Sequence, residues 1–416
     1  MNTLADMKFY SLICGALLAA CGADQAQGTA QTLTYHRDIR PIVERECVGC
    51  HSNGNIAPFT LTSYGDVVEH QDGMYAAIRD RTMPPSPVDV SGACQTFTDR
   101  RYLSADEIAR VAAWIDAGSP EGDPADAPLA IVPPLPPTYD FQTAPSAAYV
   151  STAHMSDDYR CFVLGKIADV DRFVTAVNLV PGDPRVVHHV LLFANTTAGE
   201  DAAAVALDAA DPQLGYSCFG NAGDGVGQRL ITVWTPGSGP KVYEPGFGVR
   251  VPAGRSLVMQ VHYNYSTVTA PDLTTVKLRT AANVTNEVYV GLLDDGALVV
   301  PPNQQAASYR WEIPLSDRLP GSAKIRWVAP HMHTYGRQAR SELRHADGTT
   351  SCLADVPRWD FHWQRIYDYA QPVELLPSDT VVNTCTYDTR GRSTPLTWGV
   401  RTEDEMCLVV VGLTFD

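Results

Sequence analysis

The chain has 416 residues, 45% of them hydrophobic and 19% charged, with a formal net charge of -16. That length accommodates two or three domains with cores of their own, and the composition excludes a fibrous or disordered chain. The acidic balance, with no basic cluster set against it, excludes a phosphate backbone, so no nucleic-acid partner is expected.

Lys8 precedes an apolar run from Phe9 to Ala20 that closes on Leu18-Ala19-Ala20-Cys21. The run is too short to span a bilayer as a mature helix; against the alternative of a buried core helix, it reads as an export signal over residues 1–20. Its end resembles the lipobox of bacterial lipoproteins, which implies that Cys21 is lipidated and becomes the mature N-terminus. Asp6 is unusual for a signal n-region, so Met1 and Met7 both stand as candidate starts. The expectation is an exported bacterial lipoprotein on the periplasmic or cell-surface side of a membrane, which it touches through its N-terminal lipid only. Small polar residues over 21–32 suit a flexible tether.

Residues 33–118 carry helix signals. Ile39 to Cys47 leads into Cys47-Val48-Gly49-Cys50-His51, and Ser104-Ala105-Asp106-Glu107 reads as an N-cap before Ile108, Val111, Ala112 and Ile115 at helical spacing. The two thiols are spaced to reach both vinyl groups of one haem, and the next residue, His51, can supply a ring nitrogen to the iron. A Cys-x-x-Cys pair alone fits a redox dithiol or half a zinc site; the following histidine and the exported setting favour one covalent haem c. Met83, Met74, His36 and His70 are candidates for the sixth ligand. Met83 is preferred because Pro84-Pro85 makes its segment rigid and non-helical, and this segment resembles the Met-Pro-Pro of class I cytochromes c. The alternative is a methionine filling a core gap. A small all-α cytochrome c domain is expected here.

From 119 to 140 the composition turns to Pro, Gly, Asp and Ala, a semi-rigid linker. Beyond it, short apolar runs such as Val186 to Phe193, Leu257 to Tyr263, Val288 to Leu293 and Leu408 to Phe415 alternate with turn residues. Two all-β antiparallel sandwich, jelly-roll-like domains are expected, over 141–282 and 283–416. Setting aside Cys14, Cys21 and the haem pair leaves Cys94, Cys161, Cys218, Cys352, Cys385 and Cys407. In an oxidising compartment these permit up to three disulfides among 15 pairings, or some buried free thiols.

The sandwiches carry a dispersed histidine series. His331 and His333 flank one residue, so on a strand both rings project from the same face and can share a metal. His188 and His189 are adjacent, so a common metal requires a strand end or kink. His262, in Met259-Gln260-Val261-His262-Tyr263, taken alone reads as a satisfied core histidine. Taken together with Asp404-Glu405-Met406-Cys407, these segments resemble the type II copper, ascorbate-dependent monooxygenases, from about Tyr159 to the C-terminus. The resemblance implies two copper ions: one held by His188, His189 and His262 for electron transfer, one held by His331, His333 and Met406 for oxygen chemistry. A thioether donor suits Cu(I) and would be unusual for zinc. The resemblance further implies a disulfide between Cys385 and Cys407, which would steady the strand carrying Met406.

Peptidylglycine hydroxylases of that family anchor a substrate carboxylate through an arginine, an asparagine and a tyrosine; the matching positions here are Ala329, Leu408 and Val410. A less polar pocket is expected, and an amidating activity is not. The aromatic run from Asp355 to Gln364 either lines the substrate approach or packs the second sandwich, His345 reads as an exposed turn, and His154 is unplaced. The function expected is a copper-dependent monooxygenase that inserts one oxygen atom of O2 into a substrate C–H bond, catalytic through His331, His333 and Met406. Its haem domain would supply or relay electrons from an external cytochrome, quinol-linked or ascorbate-like reductant. The alternative is a non-catalytic haem and copper electron-transfer or copper-binding lipoprotein.

Overall fold

The structure, a computed structural model, describes residues 32–415 apart from 54–56, 86–87, 99–101, 129–136, 153–156, 228, 237, 267 and 400. The export signal, Cys21, nearly all of the 21–32 tether, much of the linker and His154 lie outside the described residues. No described helix is long and apolar enough to cross a membrane.

Three α-helices occupy the N-terminal part: Arg40–Glu46, Tyr64–Arg79 and Ala105–Asp116. The last begins at the expected cap. The Ser104 hydroxyl accepts the Glu107 N–H at 3.2 Å while the Glu107 carboxylate accepts the Ser104 N–H at 2.8 Å, a reciprocal box that satisfies two otherwise orphaned donors. Tyr64–Arg79, which the sequence reading does not anticipate, starts on the same device with Ser63 and Asp66. Val43, Val67, Ile78, Val111 and Trp114 of these helices form a hydrophobic cluster with Tyr35, Ile39, Leu61 and Leu103 from the segments between and before them.

Residues 141–287 form the first sandwich. One sheet has the order Phe141–Thr143, Thr275–Ala281, Arg172–Val180, Phe247–Val251, Asn286–Glu287, with Lys241–Val242 added on Arg172–Val180. The facing sheet has the order Tyr216–Ser217, Asp157–Lys166, Ser256–Asn264, Val187–Ala194, Arg229–Trp234. Along Ser256–Asn264, Leu257, Met259, Val261 and Tyr263 enter the core between the sheets. Val258, Gln260 and His262 therefore project from the opposite face, yet they too are buried. A strand buried on both sides needs a second partner surface.

The second sandwich supplies it. Its sheets are Tyr289–Leu293, Leu408–Phe415, Ala323–His331, Tyr367–Leu375 and Ala307–Pro314, Thr380–Tyr387, Gly336–Arg344, Thr350–Val356, in those orders. Val409 and Val411 point into its core with Trp311, Val328, Leu343 and Val381. Leu408 and Val410 point out, and pack with Val258, Phe193 and Leu230 of the first sandwich and with Trp327 in a separate cluster. The two sandwiches thus meet sheet to sheet, and the polar side chains between them line a cleft.

The linker is not the only connection between the helices and the sandwiches. Cys94 is disulfide-bonded to Cys352, and Val88 and Phe97 are buried in the second sandwich core. The Asp89 N–H donates to Asp355 O at 2.7 Å, the Thr98 N–H to Asp368 O at 2.8 Å and the Ala370 N–H to Thr96 O at 2.8 Å. Arg358 donates to Asp80 O at 3.2 Å, directly from sandwich to helical segment. To the semi-rigid linker expected from composition the structure adds a covalent attachment spanning 258 residues of sequence. Closing a loop of that length is worth about 5.6 kcal/mol in the chain-entropy view. The other cysteines pair as Cys161–Cys218 and Cys385–Cys407, the latter as expected.

Candidate metal centres

His188 and His189 reach one face through a break in register. Val187 pairs with Tyr263 and His189 with His262, so two steps on one strand oppose one step on the other and His188 is the inserted residue of a β-bulge. The bulge is the kink that adjacent strand histidines require. It brings the His188 and His189 Nδ1 atoms to 3.3 Å from each other, and candidate ligand atoms of His188, His189 and His262 all lie within 4.8 Å of one another.

A carboxylate sets the third ring. His262 Nε2 lies 2.9 Å from Asp157 Oδ1, so Nε2–H donates to the carboxylate and Nδ1 keeps its lone pair. That Nδ1 is buried without a hydrogen-bond partner, an orphan that a metal ion would satisfy. Burial, reinforced by neighbouring histidines, holds His188 and His189 well below the ordinary histidine range. Burial lowers His262 as well, against the pull of Asp157. All three rings are neutral at pH 7, the state a ligand needs. Three imidazoles suit copper in either oxidation state.

The second group is organised differently. The strand Ala323–His331 ends at His331, Met332 is buried in the sandwich core, and His333 returns to the side of His331. His331 Nδ1 lies 2.5 Å from Gln364 Oε1, and His333 Nδ1 lies 3.2 Å from the Asp404 carbonyl. With Nδ1–H donating in each case, both rings leave Nε2 for a metal. Burial pushes His331 down to about 4 and His333 down to about 3. Met406 enters from the segment that leads into the neighbouring strand Leu408–Phe415. Its carbonyl accepts the Tyr387 hydroxyl at 2.8 Å, the next carbonyl, of Cys407, accepts the Trp311 indole N–H at 2.6 Å, and Cys407 is tied to Cys385.

Glu405 joins these two pieces, a role that the sequence, in which it stands only as part of the Asp404–Cys407 motif, did not assign to it. Its carboxylate is fully buried and accepts N–H bonds from His333 at 2.7 Å, Tyr335 at 2.7 Å, Gly336 at 3.1 Å and Met406 at 3.1 Å. Burial pushes the carboxyl up to about 7 in spite of those donors. An acid immediately before the methionine was the only available signal. Asp157 was likewise missed, since it lies 105 residues from His262 in sequence.

The aromatic run from Asp355 to Gln364 packs the second sandwich, as one of its two expected roles, and also reaches the histidine groups. Trp359 is buried in the second core and its indole donates to the His333 carbonyl at 3.0 Å. Phe361 stacks on His188 at 4.2 Å and Gln364 holds His331. The two histidine groups thus share one cluster, with His189 and His331 ring centres 6.3 Å apart. His345 departs from expectation: it is half-buried, with Nδ1 3.0 Å from Asp379 and Nε2 2.7 Å from Ser351. Hydrogen bonds to both flanking strands, rather than a solvent-facing turn, account for its place.

In the helical segment Cys47 and Cys50 are free, and burial pushes the Cys47 thiol up to about 12. His51 Nδ1 is 3.1 Å from the Phe59 carbonyl, which leaves Nε2 as the available donor atom. This donor set fits a covalently attached haem. Met83 is half-buried after the Tyr64–Arg79 helix. Met74 is in the core of the segment, His70 stacks on Phe59 at 4.1 Å, and His36 lies 3.4 Å from Glu121.

Comparison with known proteins converges on the cleft. Residues 289–412 match the copper type II ascorbate-dependent monooxygenase C-terminal domain. The chain is 28% identical over 246 residues to tyramine beta-hydroxylase of Caenorhabditis briggsae, covering 55% of this chain and 40% of that protein. It is 25% identical over 243 residues to DBH-like monooxygenase protein 1 of Gallus gallus, covering 54% and 38%. The human DBH-like monooxygenase protein 1 is 24% identical over 247 residues, covering 55% and 39%. The chain therefore spans about two fifths of the length of the curated relatives it matches. The part that carries His331, His333 and Met406 is similar to the C-terminal domain of the copper type II ascorbate-dependent monooxygenases, and the support from these relatives falls on that family.

Proposed function

We propose that the chain is a copper-dependent monooxygenase carrying its own electron-supplying module. The observation that carries this reading is the convergence of five neutral, buried or cavity-lining histidines and one methionine, drawn from both sandwiches, on a single cleft. His188, His189 and His262 would hold one copper ion, and His331, His333 and Met406 the other. Copper at these positions would supply the chemistry O2 + R–H + 2 e⁻ + 2 H⁺ → R–OH + H2O.

The protein's own contribution is orientation. Asp157, Gln364 and the Asp404 carbonyl each take the N–H of one ring, so the remaining nitrogen of that ring is presented as a lone pair. Glu405 and the Cys385–Cys407 bridge hold the methionine strand against the His331–His333 turn. The sheet-to-sheet contact buries most of both groups, which keeps the rings unprotonated, and leaves them reached through one cavity.

The two electrons are assigned to the helical segment. Cys47, Cys50 and His51 would hold haem c, with Met83 as sixth ligand, and a Met/His pair would favour electron transfer over oxygen binding. An external reductant, such as a cytochrome, a quinol-linked donor or an ascorbate-like molecule, would replenish it. Lipidation at Cys21 would keep the protein at an exported membrane surface. The Cys94–Cys352 bond supports this assignment, because it keeps the segment beside the sandwiches instead of leaving it to diffuse on a tether.

The test is metal and haem content of protein matured in a haem-c-competent, copper-supplied periplasm, paired with His188→Ala and Met406→Ala. One haem and two coppers per chain, with each variant losing one copper, is the expected result. Haem without tightly held copper would overturn the enzyme reading, and copper without haem would overturn the electron-supply reading alone.

A further inference from the structure

Beside His331, His333 and Met406 lies a cavity of about 330 Å3 between the sandwiches, at the lower end of the roughly 300–1,000 Å3 common for small-molecule sites. Its inner wall is aliphatic. Leu191 and Val233 face it from the first sandwich, and Ala329, Ile366, Leu408 and Val410 from the second. Three of these, Ala329, Leu408 and Val410, stand where a carboxylate-anchoring member of the family resembled would carry polar groups.

The mouth is apolar as well. Phe219, Leu292 and Trp398 are among the large hydrophobic side chains most open to solvent, at 50%, 49% and 39% exposure, and all three border this cavity. Exposed apolar groups scattered singly need no explanation, but several gathered at one opening mark a binding surface.

The polar side chains on the wall are already engaged with protein. Gln260 donates to the Asn221 carbonyl and Thr235 to the Gln364 carbonyl. Gln364 is divided between His331 and the Phe361 carbonyl. Asp294 accepts the Trp398 indole N–H at 2.5 Å through one oxygen and the Gly296 N–H at 3.2 Å through the other. Arg365, the other charged residue on the wall, is not without partners. An ionised ligand would give up its hydration against the aliphatic inner wall and meet polar side chains already hydrogen-bonded to protein, a loss that only a fresh pairing could offset.

We infer that this cavity selects a neutral, apolar substrate of one or two rings or a comparable alkyl chain, oxidised at a C–H bond with no ionic anchor. The inference rests on the monooxygenase reading for the chemistry, though not for the binding.

The experiment therefore measures binding apart from turnover. Full-length, copper- and haem-loaded protein, kept oxidised and without reductant, is titrated calorimetrically with three probes of matched size: ethylbenzene, 2-phenylethylammonium and 3-phenylpropanoate. Ethylbenzene should bind at least tenfold more tightly than either ion. Leu292→Ser, at the exposed mouth where folding is not at stake, and the near-isosteric Val410→Thr should each weaken ethylbenzene severalfold. Equal or tighter binding of either ion, no binding of ethylbenzene, or indifference to both variants would overturn the inference. Reductant is then added and products are analysed. Selective binding without any hydroxylated product would count against the monooxygenase reading and leave the cavity assignment standing, whereas hydroxylation of the ions in preference would do the reverse.

Discussion

His188 and His189 share a face because their strand bulges at His188, whereas His331 ends its strand and His333 returns to its side beyond the strand's end. In the first group the donors belong to neighbouring strands of one sheet, so backbone pairing alone brings them together, and Asp157 only sets a ring. In the second, the histidine turn and Met406 are separate pieces held by one buried carboxylate and steadied by a disulfide. A site written into sheet register forms as the sheet forms; a site assembled on a side chain is lost with it.

That contrast predicts an order of damage. Glu405→Ala leaves four buried N–H groups without their acceptor, at about 1–3 kcal/mol for each group that water cannot reach. Chemical denaturation should show the second sandwich destabilised by several kcal/mol, with copper lost from the methionine site while the three-histidine site still fills. Equal loss from both sites would erase the distinction. Breaking the bridge by Cys385→Ala with Cys407→Ala opens a loop whose ends are 22 residues apart, worth about 3 kcal/mol, and should lower stability by that order in the same assay.

Acid offers a further test on metal-free protein. All five histidines have folded-state values below the ordinary one, so between about pH 6.5 and pH 4 the unfolded chain takes up protons that the folded chain refuses. Stability should fall as pH drops through that window. Glu405 has the opposite sign: its raised value adds stability at low pH that is lost as pH rises through about 7. Five groups against one give a net loss on acidification, measurable as a falling melting temperature from pH 7 to pH 5, and a flat or rising trend would contradict it.

The smallest effects should come from Asp157, which touches His262 at 2.9 Å and Thr402, on the segment before Met406, at 2.8 Å. Asp157→Asn should change stability by about 1 kcal/mol or less, yet weaken copper at the three-histidine site by about tenfold and alter its Cu(II) electron paramagnetic resonance spectrum. Thr402→Val removes only the cross-sandwich bond and should leave that spectrum unchanged. If both variants shift it alike, Asp157 acts through the sandwich contact and not through the ring.

Much of this was legible in the residues. The Ser104–Glu107 box, the Cys47-Val48-Gly49-Cys50-His51 spacing and the shared face of His331 and His333 all operate within a few positions. The Tyr64–Arg79 helix was missed although its Ser63–Asp66 cap is of the same kind, because its interior is mostly polar and gives a weak helical stripe. The Asp355–Gln364 run could be read as core or as approach, because one loop lies between the second core and the cleft.

By itself, then, the sequence determined which donors are present, which strands and helices carry them, and the apolar character of Ala329, Leu408 and Val410, because donor chemistry and period are local properties. Tertiary structure alone decided that His188 is a bulge residue, that Asp157 and Glu405 are the carboxylates that serve the two groups, that Cys94 reaches Cys352, and that Phe219, Leu292 and Trp398 gather at one opening. Those choices join groups tens to hundreds of residues apart. They are made by which faces of which sheets bury each other, a competition among distant surfaces that no short window of sequence contains.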